Sequence, residues 1–226
     1  MTFTTPTFLF VFLPLGLGLY YLVYFLQKKS PLSGLLKKIR ATDLSLIALG
    51  CIFYMWSCFD DIIRFLLYIL FVYVTGLLLE KFRGGVEEKR KFSGDKLILI
   101  AGLGFLLFVL IHFKYTGMLA EAWNYLFKDN VSGKDLIAPL GISFITFSAI
   151  SYLADIYSSK AKPGNLLDCM LYLTFFPKVI SGPIVLWRDF ETQVESREIS
   201  LTAVSNGMNR IMIGFAKKVI LADTFG

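Results

Sequence analysis

Apolar and polar residues fall along this chain in long blocks. The apolar runs are Phe8–Leu26, Leu44–Phe59, Ile62–Leu79, Leu97–Phe113, Leu136–Tyr157, Leu166–Trp187 and Ala203–Ala222. A helix needs roughly 20 mainly apolar residues to cross a ~30 Å hydrocarbon core. The pattern therefore predicts an all-α, polytopic membrane protein with about six to seven membrane-embedded helices, some short, broken or re-entrant. Phe8–Leu26 has no basic leader and no small-residue cleavage site, so a retained span is expected rather than a signal peptide. One helix across Leu44–Leu79 would be about 54 Å long, too long for the core. A tight hairpin turning at Asp60 and Asp61 is expected instead, with Asp60 and Arg64 four apart and able to pair. Tyr115–Phe127 is short and contains Glu121, which predicts a separate interfacial or re-entrant piece after the Leu97–Phe113 span.

The stretch from Pro139 to Phe190 is different in kind. It reads PLGISFITFSAISYLADIY, a polar link through Lys160 and Asn165, then LYLTFFPKVISGPIVLWRDF. Two spanning runs face each other across a short turn, and they carry Asp155, Pro177, Lys178, Gly182 and Pro183. A charge at membrane depth usually faces a cavity or a partner. Proline and glycine there free backbone groups that protein or cavity water must satisfy. The second run is expected to be a broken or re-entrant helix beside a polar pocket. Asp155 reads equally as a site residue or as a helix-end acid. Lys178 can snorkel to a membrane surface or receive an anionic group. The last run, Ala203–Ala222, carries Asn206, Asn209, Arg210, Lys217 and Lys218, and is expected to be half buried in protein rather than ringed by lipid.

Composition sharpens this picture. The 226 residues are 56% hydrophobic, 16% aromatic and only 18% charged, with mean hydropathy +0.65; soluble chains are about 25% charged. The net charge of +6 does not point to nucleic acid, because the Lys and Arg residues crowd into short loops. Gln27–Asp43 holds five of them and Glu80–Lys96 six. By the positive-inside rule both loops are cytoplasmic and the N-terminus is outside, in the plasma (inner) membrane. Ser33–Arg40 would suit a short helix lying on the inner leaflet. Cys51 and Cys58, seven apart on one helix, are about 10 Å apart along its axis and cannot bridge. Neither they nor Cys169 have metal-ligand spacing.

Three blocks in the central stretch, Pro139-Leu-Gly-Ile-Ser-Phe, Ile150-Ser-Tyr-Leu-Ala-Asp155 and Phe176-Pro-Lys-Val-Ile-Ser-Gly-Pro183, resemble the signature of the membrane-bound O-acyltransferases. The bacterial branch resembling alginate O-acetyltransferase and the teichoic-acid D-alanyl transferase is the nearest. Phe53-Tyr54-Met55-Trp56, Phe113-Lys114-Tyr115 and Lys217-Lys218-Val-Ile-Leu-Ala-Asp223 extend the likeness over nearly the whole chain.

The resemblance implies transfer of an acyl group, acetyl first of all, from a cytosolic thioester such as acetyl-CoA or a carrier-protein thioester to hydroxyls of an extracellular polysaccharide or cell-wall polymer. It also implies an extracellular or periplasmic partner. Residues 1–226 would form a single membrane-embedded domain, the N-terminal half of a longer protein.

Acyl transfer to a hydroxyl needs a base and donors for the developing oxyanion. The family's catalytic His belongs to the second half, and His112 sits in the Phe-Lys-Tyr block instead. No catalytic residue, bound cofactor or metal is therefore expected within these residues. Tyr152, Asp155, Pro177, Lys178, Gly182 and Pro183 are the candidates to line or shape the substrate funnel. Two other readings stay open at this stage. A transporter or channel half also uses broken helices, and a non-catalytic membrane scaffold needs no site.

Overall fold

The computed structural model describes residues 5–29, 40–57, 59–82, 94–127, 139–179, 182–195 and 200–222. The expected surface helix at Ser33–Arg40, most of the Glu80–Lys96 loop, the Lys128–Asp135 loop and Cys58 lie outside those residues. Every element described is helical. A π-helical turn Phe8–Phe12 leads into α1 (Leu13–Lys29), followed by α2 (Ala41–Ser57). A 3₁₀ turn Phe59–Asp61 then leads into α3 (Ile62–Lys81). After it come α4 (Gly94–Phe127), α5 (Ile142–Tyr157), α6 (Leu166–Thr174), the single turn α7 (Phe176–Val179), α8 (Trp187–Glu195) and α9 (Leu201–Ala216). The last described element is a π-helical segment Lys217–Ala222. Phe8–Lys28, Phe59–Lys81 and Gly94–Phe127 are long and apolar enough to cross a membrane, and Ala41–Ser57 and Ile142–Tyr157 are shorter apolar helices. The all-α polytopic reading of the sequence holds.

Helix directions follow from a few contacts. Gly16 of α1 faces Leu49 of α2, while Phe8 and Phe12 reach Phe53, so these two run antiparallel. Phe71 with Phe105, and Thr75 with Gly102, set α3 against α4 in the same sense. Lys114 reaches Ser143 and Gly102 meets Leu153, which turns α5 back along α4. Tyr68 donates to Thr146 at 3.2 Å, and Gly76 lies under Tyr152 and Ile156, so α3 and α5 are parallel. One end of the bundle thereby collects the C-termini of α1, α3 and α5 and the N-termini of α2, α4 and α6. Both strongly basic segments of the sequence leave helices at this same end.

Three expectations fail locally. The anticipated break near Tyr115 is absent: α4 runs unbroken for 34 residues, about 51 Å. His112, Lys114 and Tyr115 are polar, but none breaks a helix, and Thr116 bonds back to the His112 carbonyl within the helix. Exposed apolar residues continue past the cluster, at Met118, Leu119, Trp123 and Leu126. The buried positions of α4 are Gly102, Leu106 and Leu110, one stripe at four-residue spacing, with none beyond Leu110 among the described residues. In the hairpin, Arg64 pairs with Asp61 at 2.6 Å rather than with Asp60. Asp61, the last residue of the 3₁₀ turn, sits directly before α3 and three residues from Arg64, one residue nearer than Asp60. The half-buried last helix is also not seen, since α9 has no buried residue.

Candidate functional site

The site is built on the α5–α6 hairpin, whose second arm breaks as the sequence indicated. Pro177 has no N–H to give the Leu173 carbonyl, and its ring would press on that oxygen. The helix accordingly stops at Thr174, Phe175 takes φ −59° and ψ 97°, and a single turn resumes at Phe176. Two glycines let neighbouring backbone close over the freed carbonyls. A Cβ on Gly50 would lie 2.1 Å from the Thr174 oxygen, and one on Gly141 (φ +67°) 2.1 Å from the Val179 oxygen. At these distances no side chain fits, so α2 and the start of α5 seat directly on the break.

Behind the break lies an aromatic box. Trp187 packs edge-on against Tyr152 (5.0 Å) and Tyr172 (5.1 Å), and Phe190 against Tyr172 (5.1 Å). Tyr152, Tyr172 and Trp187 are fully buried, yet each polar tip has a partner. Tyr152 donates to the Pro163 carbonyl at 2.8 Å, Tyr172 to Val185 at 2.6 Å, and the Trp187 indole to Lys162 at 2.8 Å. These bonds pin the α5–α6 turn and the extended segment 182–186 to the box.

Asp155 is buried, and its carboxylate accepts from the Arg188 N–H at 3.2 Å, next to Ser151 accepting from Trp187 N–H at 3.2 Å. Two residues of α5 thus cap the first turn of α8, where an anion also meets the positive end of the helix dipole. Lys178 is buried with Nζ 3.2 Å from the Tyr172 ring centre and 5.4 Å from that of Phe190. Gly182 donates to the Lys178 carbonyl at 3.3 Å, and a Cβ there would come within 2.4 Å of the Lys178 Cα. Tyr152, Asp155, Lys178 and Gly182 therefore gather around one aromatic cluster. Pro177 and Pro183 are exposed at its edge.

A cleft of about 810 Å³ opens at the bundle end where α1 ends and α2 and α6 begin. Its walls are Tyr20, Tyr24 and Lys28 of α1, Arg40 before α2, Asp168 of α6, and Trp187 and Phe190 of α8. Arg40, with φ +52°, holds Asp43 at 2.6 Å and Asp168 at 2.5 Å. The hydrogen bond with Asp168, above all, raises the Arg40 pKa beyond its ordinary value. Asp168 also closes a capping box with Asn165 at the α6 N-terminus. The funnel candidates are not in the cleft wall, but two aromatic residues of their cluster, Trp187 and Phe190, are.

Sequence reasoning missed Arg40, Asp168 and the two glycines. Its one signal was the pattern Asn165-x-x-Asp168, a legible helix start. His112 is exposed on α4, stacked on Phe108 and edge-on to Phe113, and is not in the cleft lining. Among the described residues no group of His, Cys, Asp and Glu is arranged to hold a metal.

The comparisons bear on this arrangement. No family model and no solved structure matches the chain. A probable alginate O-acetylase of Pseudomonas putida is 33% identical over 99% of this chain and 43% of its own length. A peptidoglycan O-acetyltransferase of Helicobacter pylori is 28% identical over 99% of this chain and 45% of its length. A teichoic acid D-alanyltransferase of Streptococcus thermophilus is 30% identical over 41% of this chain and 23% of its length. The chain spans less than half the length of these relatives. Together with the helical membrane architecture and the broken α5–α6 hairpin, these matches make the chain an N-terminal part of a protein of the membrane-bound O-acyltransferase family.

Proposed function

We propose that residues 1–226 form the front part of an O-acyltransferase of the cell (inner) membrane. It takes an acyl group, acetyl in the first instance, from a cytosolic thioester, acetyl-CoA or a carrier-protein thioester. It passes that group toward hydroxyls of an extracellular polysaccharide or cell-wall polymer. The observation carrying this reading is the match to O-acetylases along 99% of the chain. The cleft suits the donor in this reading, because Lys28 lines it and two rings of the buried aromatic box, Trp187 and Phe190, form part of its wall. Tyr152, Asp155, Pro177, Lys178, Gly182 and Pro183 shape the funnel wall in this reading. An extracellular or periplasmic partner completes the delivery.

Acyl transfer needs a general base, worth about 10²–10⁴ in rate. His112 is not in the cleft lining, so the base is assigned to the part of the relatives that this chain does not match. The basic loops put the cleft on the cytoplasmic side and the N-terminus outside. Cysteines introduced at Ser33 and Gly85 should resist an impermeant thiol reagent added outside sealed cells, and labelling of both would invert this orientation.

The activity is tested with a chimera in which residues 1–226 replace the matching part of the Pseudomonas putida relative. Membrane-inserted chimera should restore acetylation of alginate, and His112→Ala in it should leave most activity. Residues 1–226 alone should give none. An inserted chimera without transfer, or robust turnover by residues 1–226 that His112→Ala abolishes, would overturn the assignment.

A further inference from the structure

The α6–α7 break leaves the Lys178 amine buried and, among the described residues, without an acceptor. Lys178 is 6% exposed, and nothing among the described residues accepts a hydrogen bond from its Nζ. A lysine amine brings up to three donors, and burying a charge or a donor unpaired is costly. The Tyr172 ring, 3.2 Å below Nζ, offsets part of that cost through its π face. It gives the N–H groups no lone pair in return. The Tyr172 hydroxyl is already committed to the Val185 carbonyl, and Asp155 to the α8 N-terminus.

The lysine is nonetheless held firmly. The chain folds back on it at Gly182, where no Cβ fits against its Cα. A buried amine with no acceptor among the described residues has the character of a preorganised anion receptor, whose charge an incoming anion would stabilise. Its surroundings also indicate a route. Phe190 lines the cleft, and its ring centre stands 5.4 Å from Nζ. Phe190 thus belongs both to the cleft wall and to the surroundings of the lysine.

We propose that Lys178 is the inner end of an oxyanion-binding site, taking a carboxylate or phosphate that enters from the cleft past the Phe190 ring. This goes beyond acyl transfer and does not depend on it, since the binding is expected of residues 1–226 by themselves.

Trp187 reports on the site, being fully buried and stacked near both Tyr172 and Phe190. Trp56 and Trp123 are 63% and 51% exposed, so Trp56→Phe and Trp123→Phe leave Trp187 as the single fluorophore. The purified chain, in a maltoside detergent that carries no phosphate, is titrated separately with acetate, inorganic phosphate and phosphatidylglycerol, with chloride as the control. A saturable change in Trp187 emission with an oxyanion and not with chloride is expected. A response to the free anions indicates a soluble ligand, and a response to the lipid alone a headgroup; both support the site. Lys178→Met should weaken the midpoint about tenfold or more, as loss of a charge-assisted bond implies. Lys178→Arg should retain binding, which separates loss of charge from loss of fold. Phe190→Ala should speed the response. No saturable change, an equal response to chloride, or unaltered binding in Lys178→Met would overturn the site. An unchanged rate in Phe190→Ala would overturn the route.

Discussion

The α5–α6 hairpin and the closing helix α9 have similar raw material and opposite fates. Both are about the length of a membrane-embedded helix, mostly apolar and punctuated by glycine and polar residues. At the centre of the hairpin, Tyr152, Tyr172 and Trp187 are buried and the polar tip of each is engaged. In α9 nothing is buried, and Leu201, Met212 and Ile213 are all exposed. Hydrophobicity by itself does not hold helices together in lipid, where the tails are as apolar as leucine. Close backbone approach and satisfied polar groups do so. The hairpin has both, through Gly50, Gly141 and the Tyr152, Tyr172 and Trp187 bonds.

That contrast can be broken most forcefully at a glycine. Gly50→Val forces a side chain into a space 2.1 Å from the Thr174 oxygen, so α2 must lift off the break. A loss of about 3 kcal/mol or more is expected, enough to remove the cooperative thermal transition in detergent. An unshifted transition would mean that α2 is not seated there. Next in size is Trp187→Ala, which empties the centre of the box and should cost about 3–5 kcal/mol. Met212→Ala in α9 should stay within about 0.5 kcal/mol in the same denaturation series. Tyr152→Phe removes one buried hydrogen bond and keeps the ring. About 1 kcal/mol of destabilisation is expected, more if the Pro163 carbonyl stays unpaired. One effect has the opposite sign. Gly207 and Gly214 of α9 have open space around them, so Gly→Ala there should stabilise the helix by about 0.5–1 kcal/mol. Slower proteolysis within 201–222 would register it, and destabilisation would reveal a close neighbour on α9.

Much of the hairpin was legible beforehand because its signals are local. Pro177 breaks a helix wherever it stands, and the length of an apolar run limits how far one span can reach. Asp60 and Asp61 mark a turn for the same reason. The expected break in α4 failed because a polar cluster is a statement about solvent, whereas a helix ends only where its backbone is interrupted. Of the candidate site, the sequence picked out the costly groups but could not name their partners. Asp155 could be flagged as a buried acid, and only the fold brought it the N–H of Arg188, 33 positions away.

The sequence by itself determined that the chain is a set of membrane-length helices, where the hairpin turns and where its second arm breaks. These follow from run length, backbone chemistry and charge placed within a few residues of each other. The tertiary structure decided which glycines must stay bare, that Arg40 joins Asp43 to Asp168, that Lys178 lies on the Tyr172 ring, and that α9 is left uncovered. Each depends on groups that become neighbours only once helices pack, with approach distances fixed by the surfaces that meet.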